Sequence, residues 1–275
     1  MTKHSVAVIG AGKLGELVLA GLLRSGWAPQ QVLATTRRPE RAAELAERHG
    51  IRPVLNLTAV TQADVLLIAV KPQDAGALLD DFGMKVPPDT LVVSLCAGLP
   101  TSFFSERLPG GIPVVRVMTN TPALVDQAMT AISAGPYATD EHLAITEEIF
   151  QPLGRTLRVP ESQQDAVTAL SGSGPAYFYL LVEAMVDAGI LLGLPRHVAH
   201  ELAVQTAVGS AVMLRDSGEH PVRLRESVTS PGGTTASALR ELETHGLRAA
   251  FLTALEAARD RARQIAAEMT AASTK

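Results

Sequence analysis

Cysteine is almost missing from this chain: Cys96 stands alone among 275 residues. A single thiol excludes an intramolecular disulfide and fits a reducing compartment. Basic blocks are missing too. The 24 Lys and Arg are outnumbered by 28 Asp and Glu, for a net charge of -4. With no interleaving of basic and aromatic residues, nucleic acid is not an expected partner. No lysine lies between Lys85 and Lys275, which excludes chemistry that needs a lysine on a helix of the second half. Histidines are scattered; His197 and His200 share a helical face, yet no cysteine or carboxylate completes a set, so no metal is expected. No Ser-His-acid constellation stands out. The chain runs from Met1-Thr2-Lys3-His4 straight into Val6-Ala7-Val8-Ile9, too short an apolar run for a signal peptide. A soluble, cytoplasmic protein is the expectation.

One stretch tests it. Ala176 to Leu194 is almost wholly apolar and about long enough to cross a bilayer. Glu183 and Asp187 sit inside it on one helical face, and two acids at mid-membrane are costly. A helix apolar around most of its circumference fits better in a packed bundle or a subunit interface, so no membrane is expected.

What is present begins with alternating strand and helix. Val6 to Ile9 reads as a buried parallel strand. Gly10-Ala11-Gly12-Lys13-Leu14-Gly15 follows at once, and Leu14, Leu17, Val18, Leu22 and Leu23 make a helical stripe. A bare G-x-G-x-x-G says little, but between a strand and a helix it has the context of a dinucleotide fingerprint. Gly10 permits the tight turn, Gly12 the approach of the pyrophosphate, and Gly15 close helix–strand packing; a purely structural glycine turn is the alternative. The next strand, Val32-Leu33-Ala34, ends in Thr35-Thr36-Arg37-Arg38. An NAD-selective site usually has an acid there for the ribose 2′-hydroxyl, whereas two hydroxyls and two guanidiniums suit the 2′-phosphate of NADPH. NADH remains possible, and such arginines are also often only solvated.

Pro39 to His49 reads as a helix closed by Gly50. Val65 to Val70 is a buried strand stopping at Lys71-Pro72, at the carboxyl edge where open α/β sheets bind ligands. Leu91 to Leu95 is another, stopping at Cys96-Ala97-Gly98, where small residues leave room for a nicotinamide ring. Cys96 has no adjoining histidine or acid and reads as a buried spacer. Val114 to Val117 leads to Asn120-Thr121-Pro122, Thr139 caps a helix toward Leu153, and Leu157 to Val159 is a short strand. The expected fold is α/β: an N-terminal Rossmann-like, doubly wound, mainly parallel sheet over residues 1–160.

After Pro160 strand signals vanish, and residues 161–275 read as an all-α substrate-binding and dimerisation domain. Its long helices carry too few charges to stand alone. Ser230-Pro231-Gly232-Gly233-Thr234-Thr235 opens a helix near Thr234. First-turn N–H groups without internal partners, close approach over glycine and three hydroxyls suit a small anion such as a carboxylate. An ordinary Ser/Thr-capped helix is the alternative.

Gly10-Ala11-Gly12, Ala69-Val70-Lys71-Pro72, Asn120 to Val125, Asp165 to Tyr177, Gly193-Leu194-Pro195 and Ser230 to Thr235 together resemble pyrroline-5-carboxylate reductase across essentially the whole chain. The resemblance implies that Ile9, Gly10, Ala11, Gly12, Lys13, Leu14, Asn56, Ala69, Val70, Lys71, Pro72, Cys96 and Ala97 line the dinucleotide. It implies that Ser230, Gly232, Gly233, Thr234 and Thr235 hold the carboxylate of an imino-acid substrate, with Thr235 catalytic near the ring nitrogen and Glu161 beside the substrate. It further implies a homodimer through the helical domain, with sites drawn from both chains, and assembly into a decamer of five dimers. Thr119 stands where the family usually has proline. Ser227, at a cofactor contact, stands where it often has asparagine. The expected reaction is hydride transfer from NADPH to the C=N carbon of 1-pyrroline-5-carboxylate. The alternatives are a reductase of a six-membered cyclic imino acid and a non-catalytic NADPH-binding regulator.

Overall fold

The computed structural model describes residues 4–272, with side chains to residue 268. Met1 to Lys3, where the expectation of no signal peptide begins, and residues 273–275, where the expected helical domain ends, lie outside the described residues. Two compact units emerge. One comprises the described residues through Ser173 together with those from Ala258 on; the other is Gly174–Ala257.

The first unit is built on a seven-stranded sheet. In chain order it holds β1 (Val6–Ile9), α1 (Lys13–Arg24), β2 (Val32–Thr35), α2 (Pro39–His49), α3 (Asn56–Gln62), β3 (Val65–Ile68), α4 (Pro72–Phe82), β4 (Leu91–Ser94), α5 (Thr101–Ser105), β5 (Val114–Met118), β6 (Ala128–Ala134), α6 (Asp140–Phe150), β7 (Gly154–Arg158) and α7 (Gln164–Val167). The strand order is β2-β1-β3-β4-β5-β6-β7. The first five strands run parallel, β6 is antiparallel to β5, and β7 is parallel to β6. Every residue of β1, β3 and β4 is buried, because crossover helices cover both faces of a doubly wound sheet. Two apolar layers result. Leu17, Val18 and Leu22 of α1 lie on one side with Phe150, and Leu79, Phe82, Phe103 and Phe104 lie on the other. Each such buried side chain contributes roughly 1.5–3 kcal/mol through removal from water.

The mainly parallel, Rossmann-like sheet expected from the sequence is present, and α2 ends in Gly50 at φ 65°. The expectation omitted β6. Ala128-Met-Thr-Ala-Ile-Ser-Ala is poor in β-branched residues, and as an inner strand between β5 and β7 it is buried on both faces, so it lacks a clean two-residue alternation. It reverses direction through a 3₁₀ turn over Thr121–Val125 and Asp126 at φ 56°. Thr119 finds its reason here: its hydroxyl shares a 2.9 Å hydrogen bond with that of buried Thr130 on β6.

Residues 161–173 pack with the sheet. Buried Gln164 donates through Nε2 to Ser133 Oγ at 2.8 Å, Arg116 of β5 pairs with Asp165 at 3.4 Å, and Asn120 Nδ2 donates to the Ser171 carbonyl at 3.2 Å. A π-helical turn at Thr168–Gly172 separates α7 from the next helix.

The second unit is helical, as the loss of strand signals implied: α8 (Gly174–Leu191), α9 (Arg196–Asp216), α10 (Pro221–Ser227), α11 (Thr234–Thr244) and the start of α12 (Leu247–Ala272). Gly189 lets α8 and α9 touch, since a Cβ there would meet Ala199 Cβ at 2.9 Å. Beyond that seam these helices leave Phe178, Tyr179, Leu180, Leu191, Leu202 and Val208 exposed, as is Leu192 in the turn between them. Glu161–Leu191 is one helical stretch long and apolar enough to cross a membrane. Its first part, through Ser173, packs with the sheet, and its acids Glu183 and Asp187 fit an uncovered protein interface better than a membrane.

Candidate dinucleotide and anion sites

The strand order places the topological switch at β1, with β2 on one side and β3 on the other. Ligands bind open α/β sheets at the carboxyl ends beside such a point. Ile9 ends β1 fully buried, and its carbonyl accepts from Ala69 N at 2.9 Å. Gly10 then turns at φ 84°, and a Cβ there would collide with Val70 Cγ1. Ala11 is buried, its N–H donating to the Thr35 carbonyl at 2.8 Å. A Cβ on Gly15 would stand 2.9 Å from both the Gly10 carbonyl oxygen and Val8 Cγ1, so helix and strand pack as closely as the sequence implied. Gly12 differs: a Cβ would meet only the Gly10 oxygen at 4.0 Å, and the residue is exposed. It leads into α1, whose start no side chain caps. An open glycine at an uncapped helix N-terminus is a cradle for a phosphate group, with exposed Lys13 and part-buried Leu14 on its rim.

At the end of β2 the four residues part company. Thr35 is buried and its Oγ1 accepts from Gly10 N at 3.2 Å, so it braces the glycine turn. Thr36 Oγ1 accepts from Arg38 N at 3.4 Å. Arg37 is exposed and pairs through Nη2 with Asp74 Oδ2 at 3.1 Å. Arg38, also exposed, makes no ion pair among the described residues.

Asn56 is the first residue of α3 and part-buried. Ala69 and Val70 follow β3, exposed Lys71 is the N-cap of α4, and Pro72 opens that helix. Cys96 is almost fully buried, and its thiol donates toward the Val70 carbonyl at 3.4 Å. Burial pushes that thiol up to about 12. A thiol so reluctant to ionise is no nucleophile at neutral pH, in keeping with a spacer. Ala97 beside it is exposed.

Glu16 and Arg41 carry no local pattern that singles them out. Arg41 reaches back from α2 to the Ala11 carbonyl at 3.4 Å and also holds Glu16 on α1. Glu16 meets Arg48 at 2.7 Å and His49 at 3.0 Å as well. Burial pushes the Glu16 carboxyl upward, but hydrogen bonds from His49, Arg41 and Arg48 outweigh it and hold it at about 2. This network clamps the two helices that flank the cradle.

Glu161 is tied to α5. Oε1 accepts from Thr101 N and Oε2 from Thr101 Oγ1, both at 2.7 Å, and Arg116 stands 3.7 Å away. Both carboxylate oxygens are thus engaged where the Cys96–Pro100 loop enters its helix.

In the second unit, Gly232 adopts φ 68° and Gly233 caps α11. A Cβ on Gly233 would collide with Ser230 Oγ. Its N–H donates to the Ser230 carbonyl at 3.0 Å, closing the loop on itself. No side chain caps α11, so the first-turn N–H groups that lack internal partners are those of Thr234 and Thr235 onward. Thr235 is part-buried and Ser230 exposed. Ser227 ends α10, its hydroxyl donating to the Leu224 carbonyl at 2.8 Å.

Comparison with known proteins bears on the family and the fold. Residues 161–265 match the family model for pyrroline-5-carboxylate reductase dimerisation, and residues 5–98 that for NADP oxidoreductase, coenzyme F420-dependent. A pyrroline-5-carboxylate reductase of Mycobacterium tuberculosis is 42% identical, the match covering 94% of this chain and 96% of that one. Among solved structures, a pyrroline-5-carboxylate reductase from Coxiella burnetii superposes with a TM-score of 0.90 at 32% identity, over 96% of this chain and 98% of that one. The Plasmodium falciparum pyrroline carboxylate reductase with NADP bound gives 0.86 at 26% identity, over 97% and 99%.

Proposed function

This chain belongs to the pyrroline-5-carboxylate reductase family, and from that membership we infer how its own residues carry the family's reaction. The chain is an NAD(P)H-dependent oxidoreductase acting on a C=N bond. It reduces L-1-pyrroline-5-carboxylate to L-proline, the last step of proline biosynthesis, with NADPH as cofactor. It acts on a small molecule and forms a homo-oligomer.

The observation that carries the site assignment is the open cradle at Gly12 before an uncapped α1. Open space above Gly12 and uncapped first-turn N–H groups suit a pyrophosphate. Ile9 to Leu14 hold that group, Ala69 to Pro72, Asn56 and Cys96-Ala97 line the rest of the dinucleotide, and Arg37 and Arg38 face the 2′-phosphate, with Thr36 beside them. Thr35 contributes by fixing Gly10. Ser227 has its hydroxyl turned to its own helix and offers the cofactor its exposed surface only. When bound, NADPH supplies the hydride for the imine carbon.

The chain's residues supply position and charge. N–H groups of Thr234 and Thr235, with the hydroxyls of Ser230 and Thr234 and the open backbone of Gly232 and Gly233, fix the carboxylate. The Thr235 hydroxyl orients the ring nitrogen, which must gain a proton as its neighbouring carbon gains the hydride. A threonine hydroxyl is far too weak an acid to be the ultimate source, so the proton comes from solvent or from an imine already protonated, with Thr235 as relay. Glu161 lies beside the substrate as the anchor of Thr101. The working assembly is a dimer through the helices of residues 161–275, with each site drawing on both chains, and five such dimers form a decamer. The functional division falls between residues 160 and 161. The chain works in the cytoplasm.

Following NADPH oxidation with the five-membered and six-membered imino acids side by side tests this reading. Higher kcat/KM for 1-pyrroline-5-carboxylate is expected. Preference for the six-membered ring would move the substrate assignment, and turnover of neither would leave a binding protein.

A further inference from the structure

The end of β2 lacks the acid with which an NAD site holds the ribose 2′-hydroxyl, yet the fold brings one there from elsewhere. Asp74 lies in the first turn of α4, and its Oδ2 is 3.1 Å from Arg37 Nη2. No sequence neighbourhood reveals this, since the two residues sit on different crossovers. Register explains the meeting. β2 and β3 flank β1 on either side, with Ile9 aligned to both Thr35 and Ile68, so the loops after all three strands open at one edge of the sheet.

We propose that Asp74 is a specificity-determining residue that weakens recognition of the 2′-phosphate and keeps NADH in use. The inference rests on the reading that Arg37 faces the 2′-phosphate. Arg37 is 84% exposed on its side chain, and Asp74 is its one ion-pair partner among the described residues. A phosphate reaching Arg37 therefore competes with a carboxylate already there. Once seated, its double negative charge lies within a few ångströms of that carboxylate, well inside the screening length at physiological salt. NADH brings no such charge; its 2′-hydroxyl is neutral and can donate to the same carboxylate. The selectivity of the pocket is then set by a tug between Arg37 with Arg38, which favour the phosphate, and Asp74, which opposes it.

The test is equilibrium titration of NADPH and NADH into the whole enzyme, as wild type, Asp74→Asn and Arg37→Ala, with turnover read in parallel. Asparagine keeps the shape of the side chain and removes its charge. Asp74→Asn is expected to tighten NADPH by about three- to tenfold, the scale of one partly screened charge–charge contact, while NADH binds equally or more weakly. Arg37→Ala is expected to weaken NADPH selectively. If Arg37→Ala does so while Asp74→Asn leaves the NADPH/NADH ratio of dissociation constants unchanged or shifts it toward NADH, the role of Asp74 falls and the phosphate reading stands. If Arg37→Ala leaves the ratio unchanged, the phosphate reading falls and takes the inference with it. Thermal melts of each variant separate loss of fold from change of selectivity.

Discussion

Thr235 concentrates the chemical question at the scale of single residues. It is the second residue of α11, part-buried, on a loop whose Gly233 N–H is already committed to the Ser230 carbonyl. The proposed mechanism gives its backbone N–H and its hydroxyl separate tasks, and substitution can separate them. Thr235→Val keeps the branched shape and the backbone donor but loses the hydroxyl. If that hydroxyl serves the nitrogen as it gains its proton, as proposed, kcat should fall by about ten- to a hundredfold with little change in KM. Steady-state kinetics check this; an unchanged kcat removes Thr235 from the mechanism. Cys96 lies at the opposite extreme. Its thiol faces the Val70 carbonyl and stays protonated, so its part is to fill space. The helix start at Thr234 and the glycine turns were legible as backbone features because each depends on local sequence. Arg41, Glu16 and Asp74 were not, because their partners come from other elements and a charged residue on a helix reads the same whether paired or solvated.

Elements are held by a few such long-range contacts. Glu16 on α1 gathers Arg41, Arg48 and His49 of α2, and Arg41 also touches the cradle at the Ala11 carbonyl. The Glu16 carboxyl is held at about 2 against an ordinary 4.5. A carboxylate with a lowered folded value contributes stability that is fully present above its unfolded value and is lost as pH falls through the folded one. The window is thus pH 4.5 down to 2, and the contribution at neutral pH is about 3 kcal/mol at most. Urea unfolding across that window should show wild type losing this increment while Glu16→Gln, less stable at pH 7, loses less on acidification. Parallel pH dependences in the two proteins would contradict the clamp. Elements with strong patterns were legible: β1 and β3 from continuous apolar runs and α2 from its helix-start proline and closing glycine. The inner strand β6 was not, because alanine, serine and methionine carry no strand signature and both its faces are buried.

For the whole molecule, the plan of a mainly parallel sheet followed by helices was legible because strand patterns stop at Pro160. Where contacts divide the chain was not. Gln164, Asp165 and Ser171 bond to the sheet through Ser133, Arg116 and Asn120, partners that no pattern in residues 161–173 announces. The large exposed side chains of α8 and α9 account for a chain that works as a homo-oligomer, since isolated soluble proteins rarely leave so much contiguous apolar surface to water. A reductase that grips an imino acid by its carboxylate at one helix start must depend on that carboxylate. Measuring kcat/KM for 1-pyrroline-5-carboxylate and for plain 1-pyrroline, with NADPH saturating, puts that to the test. Loss of a charge-assisted, multidentate contact costs roughly 3 kcal/mol, so the carboxylate-bearing imine should be at least about a hundredfold better. Equal kcat/KM for the two imines would contradict it.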